Sequence, residues 1–257
     1  MNTLQVARSS RETEASADLS WRGLYRAGGV SAALYVVLIL LPLVLLATMP
    51  QPPLSGGAAT LQYIASHKPV YIIELVSFVG LSLPAMVVFL ALYVALKQLN
   101  KSYAALGALV GIASEIIALA YNSSPPSLNG GLVYLSDHYV AATTVAQRAD
   151  LATAAEGLIA VSNAVNAAGI LTALGILILS SVMLKGVFQK SLAYLGIVTG
   201  TLGIASEALR PMLGQGYIVY GLLLPLWFLA VGWRLYRLGA SNSLSRMAKK
   251  LEAQAGP

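Results

Sequence analysis

The sequence predicts an all-α fold: a polytopic membrane helical bundle of six transmembrane helices with a parallel two-hairpin internal repeat. Three observations carry that prediction. Only 10% of the 257 residues are charged and 57% are hydrophobic, whereas a soluble domain carries about a quarter charged residues. The mean hydropathy is +0.74. Apolar runs that suit a bilayer crossing of about 20 residues fall at 27–49, 70–97, 102–121, 157–184, 191–210 and 216–236. Finally, one stretch is written twice. Lys101, Ser102, Ala104, Leu106, Gly107 and Gly111 hold the register of Lys190, Ser191, Ala193, Leu195, Gly196 and Gly200. Gly-Ile-Ala-Ser-Glu closes the first copy at Glu115 and, after three inserted residues, the second at Glu207. Such glycine-notched helices are expected to pack closely, side by side.

Each element has its reason. Residues 1–20 form a polar cytoplasmic segment, too poor in apolar side chains to bury itself. Trp21, Arg22, Tyr25 and Arg26 suit the interface at the head of a six-span membrane domain, 21–239. The near-bilayer length of the first run favours a retained span over a signal peptide. A Pro/Gly-rich connection then leads to a short segment with Leu61, Tyr63 and His67. In span two, Pro84 frees the carbonyl of Gly80 and predicts a kink. After the connection 122–150, which opens with Ser-Ser-Pro-Pro, Asp150 is the expected N-cap of one long helix over 151–184. Pro211 stops span five. The basic tail, 240–257, places Leu244, Met247 and Leu251 on one helical face, a pattern for an amphipathic surface helix or a disordered tail.

Basic residues set the orientation. With both termini cytoplasmic, thirteen of the 16 Lys and Arg lie inside, and Lys68, Arg148 and Arg210 lie outside. The repeat copies then run in one direction, unlike the inverted pair of many transporters. A second echo sets Leu61, Tyr63 and His67 against Leu132, Tyr134 and His138, each before an inward-going helix.

Composition also limits the chemistry. Zero cysteines exclude disulfides and thiolate metal sites. The net charge of +6 flanks apolar runs rather than a soluble face, so nucleic acid is not an expected partner. No His-Glu-x-x-His, Gly-x-Ser-x-Gly, phosphate loop or dinucleotide fingerprint occurs. No catalytic residue, metal or cofactor is therefore expected, and the reading leans against an enzyme.

Depth selects the acids of interest. At about 1.5 Å per residue, Glu115 lies roughly 20 Å from the inner boundary, and Glu74 falls at a similar level. The residues at i±3 and i±4 from Glu115 are Gly111, Ile112, Ala118 and Leu119. It must find a tertiary donor, line a wet cavity or stay protonated. Glu207 has Arg210 at i+3. The expectation is an outward-opening pocket lined by Glu74, Glu115, Asn163, Asn166 and Glu207, with Arg210 beside it. A buried network that only fixes helix packing is the competing account. Three classes of function fit: a binding or accessory protein for a small or lipidic ligand or partner helix, a proton-coupled transporter using an intramembrane Glu, or an outer-leaflet lipid-active enzyme. The expected partners are the lipid bilayer, a small-molecule or lipid ligand and a partner membrane protein.

The organisation resembles the uncharacterised six-helix prokaryotic integral membrane protein family named domain of unknown function 4386. The resemblance rests on Trp21-Arg22-Gly23-Leu24-Tyr25-Arg26, Tyr63-Ile64-Ala65-Ser66-His67, the lysine-flanked inner turns and the final stretch with Trp233-Arg234-Leu235. It covers most of 21–239. It implies six helices in a prokaryotic cell membrane, and it supplies no catalytic residues.

Overall fold

The computed structural model describes residues 18–48, 53, 56–122, 131–166, 168–186 and 188–254. Among them every regular element is a helix and there is no strand. We label α1 Arg22–Thr48, α2 Gly57–Ser66, α3 Lys68–Gly80, α4 Ser82–Leu96, α5 Lys101–Asn122 and α6 Gly131–Ala141. Then come α7 Val145–Asn166, α8 Gly169–Met183, α9 Lys190–Ala208, the single turn α10 Arg210–Leu213 and α11 Ile218–Gln254. Among the described residues, four segments are long and apolar enough to cross a membrane: Arg22–Pro42, Lys68–Leu96, Lys101–Ala120 and Ile218–Ala240. The chain is a multi-pass membrane protein of a lipid bilayer. Gly169–Met183 is a shorter apolar helix, and α9 is diluted by Thr, Gly, Ser and Glu.

The chain divides into two units: Met1–Val36, Leu83–Ala113 and Ile170–Pro257 in the first, Val37–Ser82 and Ser114–Gly169 in the second. The first is built on α8. The buried residues of that helix, Thr172, Ala173, Gly175, Ile176, Leu179, Ser180, Val182 and Met183, cover about half of its circumference, and Ser181 on the other half is exposed. A Cβ on Gly107 of α5 would lie 2.8 Å from the Leu179 side chain and 3.0 Å from that of Ile178. One on Gly175 would lie 2.8 Å from the Gly107 carbonyl oxygen and 2.9 Å from the Gly111 nitrogen. From α9, Gly200 approaches the Ala173 carbonyl and Leu177, each 2.7 Å from its missing Cβ, and Gly196 faces Ser180. Two positions along a helix subtend about 200°, so Ala173, Leu177 and Ser180 lie opposite Gly175 and Leu179. The kindred helices therefore do not meet through their glycines, as side-by-side packing would require. They close on α8 from two faces.

Helix α11 packs antiparallel to α1. The Arg26 Nε donates to the Gly239 carbonyl at 3.1 Å, the missing Cβ of Gly29 lies 2.9 Å from the Gly232 carbonyl, and Tyr35 stacks on Phe228 at 3.8 Å. Phe89 of α4 meets Phe228 edge-on at 6.2 Å. At one end of this unit the turn after α4 sets Leu99 against Gly186, in the turn after α8. Lys97 there pairs with Asp18 at 3.0 Å, 5.3 Å above the Trp21 ring. Arg22, Lys101 and Lys190 open α1, α5 and α9, and Lys185 lies in the turn after α8.

In the second unit α2 lies against α6 and α7. Tyr63, Ile64 and Val133 form a small core, and the Ser136 hydroxyl donates to the Leu61 carbonyl at 2.7 Å. The missing side chain of Gly57 lets its backbone meet the carbonyl of Ala152. Lys68 pairs with Asp137 at 2.7 Å.

Several local expectations change. The helix before α8 begins at Val145, where the Thr144 hydroxyl accepts from the Gln147 amide at 3.2 Å. Asp150 thus lies inside the helix, not at its cap. The single helix over 151–184 is interrupted between Asn166 and Gly169. The irregularity expected from Pro84 falls at Leu81, between α3 and α4, and Pro84 sits in the first turn of α4, where its missing N–H costs no helical bond. The tail continues α11 as helix to Gln254. The polar segment 1–17, most of the connection after α1, the Ser-Ser-Pro-Pro stretch and the tail side chains lie outside the described residues.

Two predictions follow from this packing. Gly175→Ala, forced against the α5 backbone, should destabilise by about 1–3 kcal/mol. Gly157→Ala meets nothing within 4 Å and should gain about 0.5–1 kcal/mol; thermal melts in detergent compare the two. Ser20 first, then Lys97, holds the Asp18 carboxyl down at about 2 from 3.8. Its stabilisation is complete above the upper value and disappears as pH falls through the lower one. Melts between those two pH values should therefore decline less steeply for Asp18→Asn than for wild type.

Candidate functional site

The glycine stripe of α9 continues into an acid. Gly196, Gly200, Gly203 and Glu207 follow one another at spacings of four, three and four residues, one face of a helix. The Glu207 side chain is 6% exposed. Its Oε1 accepts from the Tyr217 hydroxyl at 2.6 Å, and its Oε2 lies 3.8 Å from Arg210 Nη1, as the i+3 spacing predicted. The Arg210 guanidinium sits 4.6 Å from the centre of the Tyr217 ring. Burial first, then the bond to Glu207, pushes the Tyr217 hydroxyl above the usual phenol range. The turn α10 and the 3₁₀ turn Gly214–Tyr217 carry the tyrosine back over α9. This clasp is held by one hydrogen bond and one longer ion pair, and the Glu207 Oε2 is buried with no hydrogen-bond partner among the described residues.

The other acids fall in the second unit. Glu74 on α3 is 8% exposed and Glu115 on α5 is 5% exposed. The Glu74 Oε1 is buried with no hydrogen-bond partner among the described residues. Burial, and secondarily the charge of Glu74, raises the Tyr63 hydroxyl above its ordinary value, so α2 stands within electrostatic reach of this carboxylate. Next to Glu115, the Ser114 hydroxyl donates to the Ala168 carbonyl at 2.7 Å, satisfying an oxygen at the α7–α8 interruption. Asn163 and Asn166 occupy the last turns of α7; their side chains lie outside the described residues. Glu74, Glu115, Asn163 and Asn166 thus share one unit, while Glu207 and Arg210 belong to the other.

The histidines repeat one local geometry. In each case Nδ1 faces the carbonyl of the tyrosine four residues earlier, at 3.2 Å for His67 and 2.9 Å for His138. The paired rings lie 4.8 and 4.0 Å apart. Among the described residues no three acids or histidines are grouped to hold a metal.

The chain belongs to the family described as domain of unknown function (DUF4386), whose model matches residues 28–239. No curated protein and no solved structure matches it. Every candidate site residue lies within the family domain; the Asp18–Lys97 clasp joins it to a segment outside.

Sequence reasoning missed Tyr217, and it singled out Tyr63 for its likeness to Tyr134 but not as a neighbour of Glu74. The signal for Tyr217 was available, since Pro211 and two glycines between it and Glu207 promise a chain reversal. Tyr63 had none, because its approach to Glu74 depends on how α2 folds against α6. Tyr217→Phe removes a donor from a buried carboxylate and should cost about 1–3 kcal/mol. A melting temperature unchanged from wild type would show that the clasp is not formed.

Proposed function

We propose that this chain is a six-span protein of the prokaryotic cell membrane, with both termini cytoplasmic, that acts as a binding or accessory protein. Its polar pocket opens outward, is lined by Glu74, Glu115, Asn163 and Asn166, and accepts a small or lipidic ligand or a partner helix. Glu207 and Arg210 form a separate polar clasp with Tyr217. The observation that carries the reading is the buried Glu74 carboxylate, one oxygen of which has no protein partner among the described residues. Buried acceptors are almost always satisfied, and an intramembrane acid marks function by default.

Six crossings are supported by the alternating directions of α1, α4, α5, α8, α9 and α11 in the first unit. A two-hairpin repeat is supported by the matched positions at which Gly107 and Gly196 meet α8. The basic helix ends favour the cytoplasmic side for the turns after α4 and α8.

The test uses full-length protein purified in mild detergent, with Glu74→Gln and Glu115→Gln. Native mass spectrometry should find a co-purifying small molecule or lipid on wild type that each variant loses while its melting curve keeps its cooperativity. The reading fails if both variants carry the same species as wild type. Proton uptake into vesicles that disappears in the variants would replace binding with transport.

A further inference from the structure

The basic end of the first unit holds a groove of about 300 Å³ between α9 and α11. Its origin is steric. The two helices touch where Gly196 admits the Trp227 indole; one turn nearer the basic end, the larger Leu192 and Trp233 line the space between them. The rim carries Arg234 and Arg237, one turn apart, with Ser191 across from them, and Leu192 and Leu195 supply an apolar wall. Among the described residues, no acidic side chain lines it. The α9 N-terminus, capped by no side chain, adds the positive end of a helix dipole. Trp233 is 66% exposed, a large aromatic surface left open beside two cations.

We propose that this groove binds an anionic phospholipid, its phosphate held by Arg234 and Arg237 and an acyl chain laid along Leu192, Leu195 and Trp233. A paired guanidinium rim suits a phosphate diester. Basic pockets between helices at the cytoplasmic interface bind anionic head groups. The apolar wall decides between lipid and free phosphate, since an inorganic ion would use the rim alone. The proposal goes beyond the pocket at Glu74 and does not depend on it.

The experiment is lipid titration of delipidated full-length protein by native mass spectrometry, with phosphatidylglycerol and phosphatidylcholine as probes. Arg234→Gln with Arg237→Gln should weaken phosphatidylglycerol roughly thirtyfold, the loss expected for two interfacial cations, and leave phosphatidylcholine unchanged. Equal phosphatidylglycerol retention in the double variant overturns the proposal. So does inorganic phosphate that displaces the lipid at equal concentration, which identifies a soluble anion as the occupant. If the double variant does not fold, wild type decides. Phosphatidylglycerol brominated on its acyl chain should quench tryptophan fluorescence, and Trp233→Phe should remove most of that quenching. Equal quenching by brominated phosphatidylcholine rejects a site for anionic lipid.

Discussion

The close approach of the α8 backbone to α5 on one face and α9 on the other is the constraint on which the first unit depends. In lipid, helices gain little from hiding apolar surface from one another, because the tails are as apolar as Leu; association rests on van der Waals contact and hydrogen bonds. Gly107 and Gly175 allow such contact on one side, Gly200 against Ala173 on the other. Backbone contact with two neighbours anchors α8, which has only 15 residues. The polar chain before it can then form a separate helix, with the Ser114 hydroxyl satisfying the carbonyl of Ala168 where the two are interrupted.

The same stripe explains why the acids are inside. Glu115 lies four residues after Gly111, and Glu207 four after Gly203, so each carboxylate follows a close-packed glycine on the buried face. The three residues inserted into the second copy turn the helix by about 300°, less than one turn short by about 60°; the acid stays on the glycine side and moves toward the end of α9. There Tyr217 and Arg210 reach it. Identical pentapeptides thus reach different chemical ends through register.

Legibility in the sequence follows the range of the interactions. The helical membrane class, the Glu207–Arg210 pair and the family were open to reading because they depend on composition, local spacing and linear motifs. The interruption after Asn166 was not: hydropathy stays high across it, and Ser114 comes from another helix. Thr144 displaced Asp150 as the cap because the helix starts earlier than the apolar run. The packing of α2 on α6 and α7 was hidden in single residues, Gly57 and Ser136, whose roles appear only when distant backbone arrives. Glycine pairs declared a close contact without naming the partner, so α8 was missed as the helix they share.

Rigidity bears on which functional class the fold favours. Alternating access moves one repeat against another around a fixed site, and packed interfaces shift between discrete arrangements rather than deforming smoothly. At Gly175 and Gly200 the backbones of α8 and its neighbours come into direct contact; sliding α5 or α9 would bring Cβ atoms into the spaces that glycine keeps clear. A binding protein needs no such sliding. On the proposed reading, the buried Glu74 carboxylate needs only a partner that supplies a donor or a charge, because an acid left unsatisfied among apolar helices is costly.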